Sequence, residues 1–194
     1  MKTLTQEDLI PYASYEQQRE GFRSRIIALK KRRRISIGPL ITLVFENRET
    51  LQFQVQEMIR AERIVDPVKV QEELEIYNTL LPTRGELSAT LLIEIVAQER
   101  IKEWLDLFMG LDHGQKVAIR AGSHTAFGEF EGGHSHETKI SAVHFVRFTI
   151  SVSMIEVLGR REVPTTISVD HATYHEAALV PWDMRQEWLT DLKG

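Results

Sequence analysis

The sequence contains no cysteine. That excludes disulfides, thiolate metal ligands, a self-carried iron–sulfur cluster and a cysteine nucleophile, and it fits a reducing cytoplasm. Signatures of phosphate loops and nucleophile elbows are also missing: there is no G-x-x-x-x-G-K-[ST], no G-x-G-x-x-G and no G-x-S-x-G. No apolar run approaches the roughly 18 residues of a membrane helix. The longest, Leu40 to Phe45, reads as a buried strand. The polar, acidic opening MKTLTQEDLIPYASYEQQ has no apolar signal core. A cytoplasmic, non-membrane location is the expectation. Glycine and proline are sparse, at 11 and 6 residues in 194, and form no linker, so the length indicates one domain with an ordinary core.

What the sequence has is concentrated charge. The net charge of −4 hides eight basic residues and one acid between Arg19 and Arg34, a local +7 that leaves −11 elsewhere. Lys30, Lys31, Arg32, Arg33 and Arg34 are consecutive. Such a run suits phosphates, but no aromatics interleave it for base stacking and the rest of the chain is acidic. An acidic protein partner or anionic ligand is the expectation, with nucleic acid as an alternative. The plain reading is a helix end whose cations suit the macrodipole.

Periodicity places the elements. Tyr15, Phe22, Ile26 and Leu29 make one helical stripe over residues 15–33. Residues 34–46 read as extended, broken at Gly38-Pro39. Residues 50–57 fit both periods: Leu51, Phe53 and Val55 alternate with glutamines, yet Leu51, Val55, Met58 and Ile59 make a helix face. With Asn47 as N-cap, helix over 48–63 is the expectation. Asp66-Pro67 opens another helix. Further expected helices lie at 101–109, 153–159 and 181–192, and strands at 88–95, 115–120, 125–131, 140–151 and 165–169. Strands and helices without strict alternation indicate a single α+β domain with a mixed or antiparallel sheet.

Two sets of residues could carry function. The first is Glu46, Arg48, Glu57, Arg60 and Arg63, with Gln52 and Gln56. If Leu51, Val55, Met58 and Ile59 pack inward, this row faces outward or into a cleft, where guanidinium and amide groups suit carboxylates or phosphates. The competing reading is an ion-pair network that fixes helix against strand. The second set is histidine. All seven fall between His113 and His175. On a strand His134 and His136 would share a face, and on a helix His171 and His175 would, so four imidazoles could hold zinc or iron if the pairs met. The plainer readings are a solvated hairpin loop at 132–137 and a strand-like segment at 171–175. Gly128, His134 and His136 match the opening of the cupin motif, but Ile140 and Ser141 stand where that motif needs its Glu.

The strings Ala28-Leu29-Lys30-Lys31-Arg32-Arg33-Arg34, Phe45-Glu46-Asn47-Arg48 and Gln54-x-x-Glu57-Met58-x-Arg60-Ala61-Glu62-Arg63 resemble a bacterial family known as a domain of unknown function. Gly85-Glu86-Leu87-Ser88-Ala89-Thr90, Ile140-Ser141-Ala142-Val143-x-Phe145 and Asp170-His171-x-x-Tyr174 fit the same family. The resemblance covers nearly the whole chain, and His171 is the histidine on a matching position. It implies genes for rubrerythrin-like proteins and iron–sulfur oxidoreductases as neighbours. The resulting expectation is a non-catalytic accessory protein for a redox or peroxide-defence partner, with no cofactor of its own. A metal-dependent enzyme using His171 and neighbouring carboxylates is the alternative.

Overall fold

The computed structural model describes residues 1–95, 99, 101–131 and 140–193. Six helices and eight strands form one α+β domain. A 3-10 turn at Gln6–Asp8 precedes α1 (Tyr12–Arg32), β1 (Arg34–Ile37), β2 (Ile41–Glu46), α2 (Arg48–Ala61), α3 (Pro67–Asn78) and β3 (Glu86–Ile93). Then come α4 (Ile101–Leu107), β4 (Val117–Ala121), β5 (His124–Phe130), β6 (Val143–Thr149), α5 (Val152–Leu158), β7 (Thr165–His171), β8 (Tyr174–Leu179) and α6 (Trp182–Lys193).

All strand pairs are antiparallel, in the order β1-β2-β3-β6-β5-β4-β7-β8. The sheet curls until its two edge strands meet. Tyr174 closes that seam: its hydroxyl donates to the carbonyl of Ile37 and accepts from the Leu40 N–H at 3.3 Å. Gly38 turns the β1–β2 hairpin at φ +67°, and a Cβ there would stand 2.5 Å from the Tyr174 hydroxyl and from Glu176 Cγ. Glycine is required at this position both by backbone angle and by space.

Alternating residues of each strand point into the curl. Ile41, Leu43 and Phe45 of β2 and Leu87, Ala89 and Leu91 of β3 are buried there. Helices fill the middle: Met154 and Leu158 of α5 and Met184, Trp188 and Leu192 of α6 join the same core. The Phe45 and Trp188 rings lie 4.5 Å apart. Arg185 of α6 donates to the carbonyls of Leu158, Arg160 and Val163 at 2.6–2.8 Å, satisfying the end of α5.

A second core lies outside the sheet. Leu51, Val55 and Ile59 of α2 pack with Leu74 of α3, with Leu4, and with Phe145 on the outward side of β6. The ambiguous residues 50–57 are helical because their N-cap is strong. Asn47 Oδ1 accepts from the Thr50 N–H at 3.0 Å, and the Thr50 hydroxyl accepts from the Asn47 N–H at 2.9 Å. Asp66 caps α3 in the same way, accepting from the Val68 N–H at 2.9 Å.

Candidate functional site

Helix α1 ends at Arg32, so the basic run does not present one face. Successive helical residues are about 100° apart, and the chain turns into β1 after Arg33. Lys30 Nζ lies 3.9 Å from Glu46, and Arg32 Nε lies 2.9 Å from Glu187. Arg34 forks onto Glu94 at 2.7 and 2.9 Å, while Glu94 also accepts from the Thr42 hydroxyl. Arg33 has 0% exposure. It donates to the carbonyls of Phe45 (2.8 Å) and Glu46 (3.3 Å), to Glu187 (3.2 Å), and to Asp191. Burial pushes the Asp191 carboxyl up to about 6, against the opposing pull of the Arg33 charge. The run Lys30 to Arg34, expected to meet an acidic partner or anionic ligand, is thus mostly matched within the chain. Arg33 is an internal anchor, and Lys31 is the exposed member with no acidic partner among the described residues.

Glu46 is 2% exposed, on the side of β2 away from the central core. Its Oε1 accepts from the Thr90 hydroxyl at 2.8 Å, and its Oε2 has no hydrogen-bond partner among the described residues. The pair with Lys30 ties α1 to the sheet.

The polar row of α2 faces the chain's own N-terminal arm and α1. Arg48 pairs with Asp8 at 2.6 Å and donates to the Lys2 carbonyl at 3.1 Å. The Arg48 hydrogen bond holds the Asp8 carboxyl down at about 2. Gln52 donates to the Asp8 carbonyl at 2.5 Å. Gln56 is buried and clamps Ile10 by both its N–H and its carbonyl, at 2.9 Å each. Glu57 accepts from the Tyr15 hydroxyl at 2.7 Å and from two nitrogens of Arg19 at 2.8 and 2.7 Å. The Arg19 hydrogen bond is the main force lowering its carboxyl below the usual range. Arg60 pairs with Glu16 at 2.6 Å, not with Glu57. The row expected to face a partner or a cleft is thus engaged within the chain. The competing ion-pair network fixes α2 to α1 and to the arm instead of helix to strand. Arg63 lies just past α2, exposed, with φ 53°.

The histidines are not brought together as a helix face would bring them. His171 and His175 lie in a β7–β8 hairpin in which His171 pairs with Tyr174 and His175 with Asp170. Their side chains therefore leave opposite faces of the sheet. His175 is exposed and contacts Asp170 at 2.5 Å. His171 is 8% exposed and stacks 6.4 Å from Phe108, with neither ring nitrogen hydrogen-bonded among the described residues. Burial, and then the Lys116 charge, push its pKa down from the ordinary value. His134 and His136 lie outside the described residues. Among the described residues, no three His, Asp or Glu groups converge as metal ligands.

Two features escaped the sequence pattern. On the outward side of α1, Arg23, Ile27 and Lys31 recur at four-residue spacing and are exposed, Ile27 by 42%. Glu20 begins the same stripe. On another flank, a pocket of about 220 Å³ is lined by Ile10, Gln18, Gly21, Phe22, Arg25 and Gln52. A second, of about 270 Å³, lies beyond Ile10 against Gln56, Ile59 and Ile64. Gly21 sits in mid-helix, where glycine costs about 1 kcal/mol relative to alanine. A Cβ on it would meet nothing within 4 Å.

The fold and these sites define an antiparallel, nearly closed sheet filled by its own helices, with an ion-paired helical layer outside. Over residues 3–192 the chain belongs to the family described as "Protein of unknown function (DUF3501)". It is similar to a crystal structure described as a novel protein of unknown function from Burkholderia pseudomallei K96243. The two share 32% identity and a TM-score of 0.90, over 98% of this chain and 100% of that one. Comparison with curated proteins gave no match. Among the described residues, no helix is long and apolar enough to cross a membrane.

Proposed function

We propose that this protein is a non-catalytic accessory protein that binds an acidic partner through the outward stripe of α1. One observation carries the reading. After Arg32, Arg33 and Arg34 are matched to acids of the same chain, Arg23 and Lys31 remain exposed without such partners among the described residues, and Ile27 lies exposed between them. Two cations around one aliphatic side chain suit an acidic surface with an apolar centre. The gene neighbourhood implied by the family resemblance supports a redox or peroxide-defence protein as that partner.

The test is co-purification of the tagged protein from its native host. Arg23→Glu with Lys31→Glu is expected to lose the partner recovered with the wild type, while Lys69→Glu on α3 retains it. Stability should change by about 0.5 kcal/mol or less per exposed site. Retention of the partner by the double reversal, or tight salt-sensitive binding to DNA or RNA, overturns the proposal.

A further inference from the structure

The Gly21 pocket has features that internal packing does not account for. Helix-weakening glycine is kept where a strained backbone or a close neighbour demands it. Gly21 has neither: its φ is ordinary for a helix, and a Cβ there faces open space. Gly21 also lines a pocket of about 220 Å³. One turn further along α1, Arg25 lies with its guanidinium 4.9 Å from the centre of the Phe22 ring. Its ion pair with Glu49 is exposed and long, 3.9 Å from Nε, and includes no hydrogen bond. Among the described residues, no acceptor engages its terminal nitrogens. Phe22 is in turn braced edge-on by Phe53 at 5.6 Å, so the apolar wall is fixed. Gln52 is fixed as well, by its bond to the Asp8 carbonyl.

We infer that this pocket binds a small carboxylic acid with a compact apolar body. The carboxylate would pair with the Arg25 guanidinium, whose planar fork matches it at two points. The body would lie against Phe22 and Ile10, over the bare helix backbone at Gly21. A side chain at position 21 would occupy that place, which gives the glycine its reason. The pocket lies on a different flank of α1 from Arg23, Ile27 and Lys31, so the inference is independent of the acidic-partner reading.

The probe is sodium benzoate, titrated into the full chain and followed by amide nitrogen–proton correlation spectra. The Gly21, Phe22 and Gln52 signals are expected to shift saturably. Benzamide, of the same shape but uncharged, should bind about tenfold or more weakly. Arg25→Gln should lose the preference for benzoate. Gly21→Leu, which fills the space with a good helix former, should raise the melting temperature and abolish the shifts. The inference is overturned by any of three results: no saturable shift, equal binding of benzamide, or a lower melting temperature for Gly21→Leu. The last would show that the glycine has a packing role.

Discussion

Arg33 carries a full charge without solvent, and its surroundings repay that only through named contacts. Two carbonyls and two carboxylates, from β2 and α6, accept its hydrogen bonds. Arg33→Met leaves the Phe45 and Glu46 carbonyls and Asp191 without their donor. It should cost about 3–5 kcal/mol in chemical denaturation, the range for breaking a buried pair on one side. Asp191 and His171 respond oppositely to pH. The folded chain holds the Asp191 proton more tightly than the unfolded chain does, at about 6 against 3.8. Its contribution is therefore present below about 3.8 and is lost as pH rises through about 6. Relative to Asp191→Asn, the wild type should gain stability as pH falls across that window. His171 is kept neutral by burial, so its protonation opposes folding as pH drops below the ordinary 6.5. Melting temperatures from pH 8 downward should show the wild type falling away from His171→Leu below about 6.5.

At the scale of elements, local signals were legible and distant pairings were not. The Gly38-Pro39 break and the Asn47 and Asp66 caps each act within a few residues, and the corresponding boundaries lie close to the expected ones. Strand β8 escaped because its burial does not alternate: Tyr174 is buried, while the next three residues are all exposed. The partners of the basic run escaped for another reason. Arg33 and Asp191 are 158 positions apart, and no periodicity links them. Gln52 and Gln56 read from sequence as facing outward or into a cleft, because an amide carries no charge to betray an internal partner. Gln56 in fact acts as a surrogate strand for Ile10. Gln56→Ala should cost about 1–3 kcal/mol by leaving both Ile10 backbone groups unpaired. Hydrogen exchange at the Ile10 amide should quicken, while amides of β4 and β7 keep their protection.

Across the whole molecule, charges far apart in sequence neutralise one another. The +7 of residues 19–34 meets Glu46, Glu57, Glu94, Glu187 and Asp191, so the two-faced charge of the sequence is largely internal to the fold. Closure of the sheet is equally non-local, because among the described residues β1 has no ladder partner but β2, and β8 none but β7. The Tyr174 hydroxyl stands in for a ladder at the seam. Tyr174→Phe should cost about 1–3 kcal/mol, since it leaves the Ile37 carbonyl and the Leu40 N–H without that partner. Loss of protection at the Leu40 amide in hydrogen exchange would locate the effect at the seam.

The helix that helps fill the sheet, Trp182–Lys193, follows all eight strands among the described residues. During synthesis every described strand is joined before Trp188, the residue of α6 that packs against Phe45 in the central core. The inner face, with Phe45 and Phe148, then waits without its filler. Chains truncated after Pro181 and released should be sticky substrates for chaperones that bind exposed apolar surface. Docking of α6, not pairing of β8, becomes the event that completes the central core.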